Sequence, residues 1–206
     1  MLDSIIDKNL MFLQKHGIAM ETDDDKDIYK YGLQLIYSYI INISIILSIS
    51  VCFHRLYQTS IMVFVFALLQ AFGGGYHAKT RVKCLSLMII GSIAGNILIN
   101  IISNYNVFII ISAIVLSVLI LTLGPVKNEN HPVSKRIYRR SKVTVQIIII
   151  SCIFAAMLLL QVNRNVESSA IVSTLYLYFV SLITAKSPAF YSRQKTAIPC
   201  KKRYLK

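Results

Sequence analysis

Two residues able to do chemistry, His77 and Cys84, stand seven positions apart in the stretch Phe72-Gly73-Gly74-Gly75-Tyr76-His77-Ala78-Lys79-Thr80-Arg81-Val82-Lys83-Cys84. Nowhere else in the chain do a histidine and a cysteine lie close together beside a glycine run. A cysteine that cleaves an amide needs a thiolate, an imidazole to move protons, and hydrogen-bond donors for the developing oxyanion. The stretch offers all three. Cys84 opens an apolar segment, and the unpaired N–H groups and dipole at the start of a helix favour a thiolate. Lys79, Arg81 and Lys83 add positive potential. Gly73, Gly74 and Gly75 give the backbone freedom and expose N–H groups that can cradle an oxyanion. Burial in hydrocarbon would oppose ionisation, so Cys84 is expected at the polar boundary of a membrane.

The spacing sets a condition. In a helix, residues 77 and 84 share a face but lie about 10 Å apart, too far for direct proton transfer. The stretch is therefore expected to bend. Plainer readings stand beside this one. A cysteine at a helix end is usually structural, a cytosolic histidine is usually solvated, and three glycines can simply end a helix or allow close packing.

The elements that must hold these residues are apolar. The chain has 206 residues, is 55% hydrophobic and only 15% charged, with a mean hydropathy of +0.61. Soluble domains carry about a quarter charged residues. The expected fold class is all-α, a polytopic membrane bundle with apolar segments near 32–53, 61–72, 85–102, 107–123, 143–162 and 169–185. Most are long enough to cross about 30 Å of hydrocarbon. Segment 61–72 is the exception, rising only about 18 Å as a straight helix. It either recruits neighbouring residues, tilts, or enters and leaves on one side.

Ahead of these spans, Leu2, Ile5, Ile6, Leu10 and Leu13 fall on one helical face. They predict an amphipathic helix that lies in the membrane interface or packs on its own protein. An acidic linker, Glu21 to Asp27, is expected next. No cleavable signal peptide is expected, because the first thirty residues are rich in Asp and Lys. The anticipated organisation is 1–30 as amphipathic helix and linker, 31–186 as membrane domain, and 187–206 as a basic tail.

The formal net charge is +13. In a soluble protein that balance suggests nucleic acid, but here the basic residues lie between apolar spans and are read as topology signals. With a cytosolic N-terminus and six crossings, 20 of the 22 lysines and arginines fall inside, leaving only Arg55 and Arg164 outside. Both termini and the His77/Cys84 loop are then cytosolic. Cys52 and Cys152, within apolar spans, read as small core residues. The four cysteines are too scattered for a disulfide framework, and His77 and Cys84 lack two further ligands at zinc spacing. No metal or other cofactor is expected. The basic loop from Gly124 to Lys142, broken by prolines, is expected to touch anionic lipid.

The run Gly73-Gly74-Gly75-Tyr76-His77-Ala78, followed by Cys84, resembles the accessory gene regulator B (AgrB) family. So do the chain length, the amphipathic start and the Gly124-Pro125-Val126…Pro132 loop, and the likeness covers nearly the whole chain. That family comprises membrane cysteine endopeptidases that process the precursor of a cyclic quorum-sensing peptide. The resemblance implies Cys84 as nucleophile, His77 as general base and Gly75 as a motif glycine. One departure stands out: relatives often carry arginine just before the glycine run, where this chain has Gln70 and Ala71. Candidates for substrate contact are therefore Gln70, Lys79, Arg81, Lys83, Arg136, Arg139 and Arg140. The implied partner is a short AgrD-type propeptide with an amphipathic leader, a cysteine- or serine-containing core and an acidic tail, which a basic cytosolic face attracts. The small residues Gly91, Ser92, Gly95 and Asn96 suit either a homodimer or close packing within one chain. The competing function is a non-enzymatic transporter or peptide-export component hinged at the glycines; spans nearly devoid of ionisable residues argue against it.

Overall fold

A computed structural model describes residues 2–16, 23–76, 81–126 and 135–187. Among these, seven α-helices and no strands occur: α1 (Leu2–Lys15), α2 (Asp23–Cys52), α3 (Leu56–Gly73), α4 (Arg81–Ile102), α5 (Asn106–Leu123), α6 (Lys135–Gln161) and α7 (Asn165–Lys186). The fold is all-α. Six of the helices, α2 to α7, are long and apolar enough to cross a membrane. The chain divides into two compact units, Met1–Ser48 and Ile49–Lys206, with the boundary inside α2.

In the first unit, α1 is pinned to α2 by an ion pair between Asp7 and Lys30 at 2.8 Å and by a hydrogen bond from the Asn9 amide to the Tyr37 hydroxyl at 2.7 Å. Ile6 is buried, while Met11 and Phe12 face outward. The amphipathic helix thus packs on its own chain and still leaves apolar side chains exposed. Where an acidic linker was expected, Asp23, Asp24 and Asp25 open α2. A run that reads as solvated linker thus also starts a helix.

The second unit holds α3 to α7. Its short apolar segment, 61–72, belongs to an 18-residue helix that rises about 27 Å. Of the routes open to it, the segment takes recruitment of its neighbours. Gln58, Thr59 and Ser60 hide the start of α3 in the sequence because they are polar. The fold satisfies two of them locally: Thr59 is buried against Asn96 of α4, and the Ser60 hydroxyl donates to the Leu56 carbonyl at 2.8 Å.

α7 is the axis of the unit. Of its apolar stretch, 61% is buried by protein, against 33% for the next most enclosed span. Helices α3, α4, α5 and α6 all pack on it. Buried Ser168, Ser169, Ser173 and Thr174 keep its girth small, which lets neighbouring backbones approach closely. Ser168 also donates to the Ala156 carbonyl of α6 at 3.0 Å. Leu69, Ile109, Leu116, Ile149, Leu175 and Leu182 fill the core around it.

One alternative is decided here and one expectation is corrected. The face bearing Ser92, Gly95 and Asn96 is used inside the chain: a Cβ on Gly95 would strike Met62 of α3, and Asn96 is fully buried with its amide donating to Thr59 and to the Ser92 carbonyl. It is therefore not a free surface for a second copy. Of the two cysteines read as core, Cys152 is buried but Cys52 is exposed, since it falls on an outward position of the last turn of α2.

The ends of the second unit differ in character. At one end, α2 and α6 close with left-handed residues, His54 (φ 53°) and Asn163 (φ 58°). Six-residue hydrogen bonds from Arg55 N–H to Ser50 O (3.0 Å) and from Arg164 N–H to Leu159 O (2.8 Å) complete these turns. Arg55 and Arg164 lie here and are both engaged. Arg55 donates to the Asn100 side chain; Arg164 pairs with buried Glu167 at 2.7 Å and sits 5.8 Å from the Tyr57 ring. The opposite end carries the glycine run, Cys84 and the arginines of α6.

Candidate active site

α3 stops at the glycines because α7 crowds its last turn. Gly73 is still helical and buried; a Cβ there would overlap the Tyr178 hydroxyl and come within 3.2 Å of Val145. Tyr178 cannot retreat easily, being 1% exposed and set edge-on against Phe66. Gly74 follows with φ 69° and ψ −170°, and its N–H donates to the Gln70 carbonyl at 3.1 Å. That N–H is therefore already occupied. Gly75 passes between two side chains: a Cβ there would lie 2.6 Å from Gln70 Oε1 and 2.7 Å from Ser181 Oγ.

The same two side chains hold Tyr76. Gln70 Nε2 donates to its carbonyl at 3.2 Å, and its N–H donates to Ser181 Oγ at 3.0 Å. Gln70, weighed in the sequence as a substrate contact, here braces the turn. Ser181 is absent from sequence reasoning altogether. It lies 105 residues away, within an apolar span, where a serine carries no signal of function.

A second turn closes on the first. α5 ends at Gly124, with φ 64° and ψ 176° and its N–H on the Ile120 carbonyl at 3.0 Å. Val126 N–H then donates to the Gly73 carbonyl at 2.9 Å. The Lys186 ammonium caps the Leu123 carbonyl at the end of α5. The Gly124-Pro125-Val126 run and the Gly73–Tyr76 run thus form one backbone-bonded floor, built from α3, α5 and α7.

Cys84 lies in the first turn of α4 as a half-buried free thiol. Lys83 beside it is exposed. Arg81 begins the helix, but its side chain, like His77 and Lys79 as a whole, lies outside the described residues. On α6, Arg136, Arg139 and Arg140 are exposed and line an open groove with Val143 and Thr144. Their spacing of three and four puts them on one face.

A family model described as accessory gene regulator B matches residues 6–185. The chain belongs to the accessory gene regulator B family. Membership in AgrB, with six membrane-length helices, makes it a multi-pass membrane protein of the accessory gene regulator quorum-sensing system. The match takes in both AgrB turns, Cys84 and the arginines of α6. No curated protein and no solved structure matches the chain.

Proposed function

We propose that this AgrB protein is a membrane cysteine endopeptidase that removes the tail of an AgrD-type propeptide and promotes closure of its core into a ring. One observation carries the reading: in a chain of this family, a free, half-buried thiol stands in the first turn of α4. Support also comes from the braced turn Gly73–Tyr76, which leads directly into residue 77.

Cys84 Sγ attacks the carbonyl carbon of the bond joining core and tail. As the C–S bond forms, the C–N bond breaks, and the tail leaves as an amine with a proton delivered by His77. The core remains as a thioester on Cys84. A thiol in the core then attacks that carbonyl, a new C–S bond replaces the old, and the displaced proton returns to Cys84. A hydroxyl in the core would give a lactone by the same exchange. The second step trades one thioester for another and is near thermoneutral, whereas making a thioester from an amide is uphill. The forward direction therefore needs removal of ring or tail. Water must be kept from the acyl-enzyme, which a site at the membrane edge favours.

The basic face of α6 attracts the acidic tail, and the membrane concentrates the amphipathic leader near the site. Both termini and the site face the cytosol in this reading, the orientation that the lysine and arginine distribution favours. The test is reconstitution of the full chain in liposomes with a synthetic AgrD-type propeptide, followed by mass spectrometry. Cys84→Ala abolishes tail release and Cys84→Ser leaves it slow; complete release by Cys84→Ala ends the covalent account.

A further inference from the structure

We infer that Ser181 is a positioning residue for the proposed peptidase reaction, gripping the Tyr76 peptide together with Gln70 and so fixing the direction in which the chain enters residue 77. The inference rests on the peptidase reading. Its basis is a contrast with three other hydroxyls of α7; Ser168, which donates across to α6, is the other exception. The hydroxyls of Ser169, Thr174 and Thr184 all donate to the carbonyl four residues back, at 2.7, 2.8 and 2.8 Å. Such local bonds are how hydroxyls are accommodated in apolar helices. Ser181 instead accepts from the Tyr76 N–H at 3.0 Å, across 105 residues of chain.

The grip is two-sided. Gln70, from α3, takes the Tyr76 carbonyl, while Ser181, from α7, takes the N–H. Both side chains also close on Gly75, leaving room for a hydrogen but not for a methyl group. The helix that supplies Ser181 is the most enclosed in the unit, so the acceptor is fixed by the core. Beyond Gly74, whose N–H makes the last bond of the α3 ladder, residues 75 and 76 have left it, and backbone at a membrane edge needs protein or water partners. Residue 77 follows the gripped peptide directly. A displacement of about 1 Å at a general base can cost about a hundredfold in rate, so the grip acts through the histidine without touching substrate.

The experiment uses the full chain in liposomes with the synthetic AgrD-type propeptide. Ser181→Ala is expected to lower kcat about tenfold, with KM moved by less than about twofold. Ser181→Thr keeps the hydroxyl and restores most of kcat. Amide hydrogen exchange at Tyr76 quickens in Ser181→Ala and stays slow in Ser181→Thr, while both variants unfold at the wild-type temperature. Equal losses in the two variants, an effect confined to KM, or unchanged exchange at Tyr76 each overturns the role of Ser181. A wild type that leaves the propeptide intact, or a Cys84→Ala variant that cleaves it, overturns the peptidase reading and this role with it. An active wild type, an inert Cys84→Ala and an unimpaired Ser181→Ala overturn the role of Ser181 alone.

Discussion

Gly74 and Gly124 leave their helices with nearly the same backbone, φ 69° and ψ −170° at the first, φ 64° and ψ 176° at the second. That region is open to glycine almost alone. Gly74→Ala is expected to destabilise the protein by about 1–3 kcal/mol, measured by thermal unfolding in detergent. Gly91→Ala is the control. A Cβ there meets nothing within 4 Å, and in mid-helix it should be neutral or add up to about 1 kcal/mol. A matching loss at both positions would defeat the conformational argument. In the sequence the three glycines read as one flexible unit with N–H groups to offer. Their reasons separate in the fold: Gly73 admits Tyr178, Gly74 adopts a backbone other residues avoid, and Gly75 threads between Gln70 and Ser181. No local pattern distinguishes these, because two of the three depend on side chains from α7.

Helix α3 meets α7 where Gly73 faces Tyr178, with no room for a Cβ. Gly73→Ala is expected to cost about 1–3 kcal/mol by overpacking. In a Tyr178→Phe background the hydroxyl is gone, and the penalty should shrink by about 0.5–3 kcal/mol. Denaturant unfolding of the four proteins of the cycle decides it; additive losses would mean that the two groups do not constrain each other. The extent of α3 itself was only half legible. Its apolar stretch, 61–72, is plain, but its first turn holds Gln58, Thr59 and Ser60, which look like loop. Burial of Thr59 against Asn96 overrides that appearance. The start of α4 near Cys84 was readable, since the apolar run begins there. The brace behind it, from α7, was not.

Across the whole molecule, the distribution of charge carries the expected topology. Asn104 and Val162 stand at the end that keeps Arg55 and Arg164; Ser187 stands at the end with Cys84. In a background lacking the native cysteines, Asn104→Cys and Val162→Cys should react with a membrane-impermeant maleimide in intact cells. Ser187→Cys should react only after permeabilisation. Labelling of Ser187→Cys in intact cells would reverse the orientation and remove the cytosolic site. The sequence by itself left open whether 61–72 crosses, but placed the apolar segments and the alternation of basic and nearly uncharged connections between them. Those follow from run length and charge, which act locally against a slab of hydrocarbon. Only the tertiary structure decided that α7 is the axis, that the small-residue face of α4 is spent within the chain, and that Gln70 and Ser181 hold Tyr76. Lipid and a protein core are equally apolar, so hydropathy cannot tell a lipid-facing helix from a central one; close packing of distant segments makes that choice.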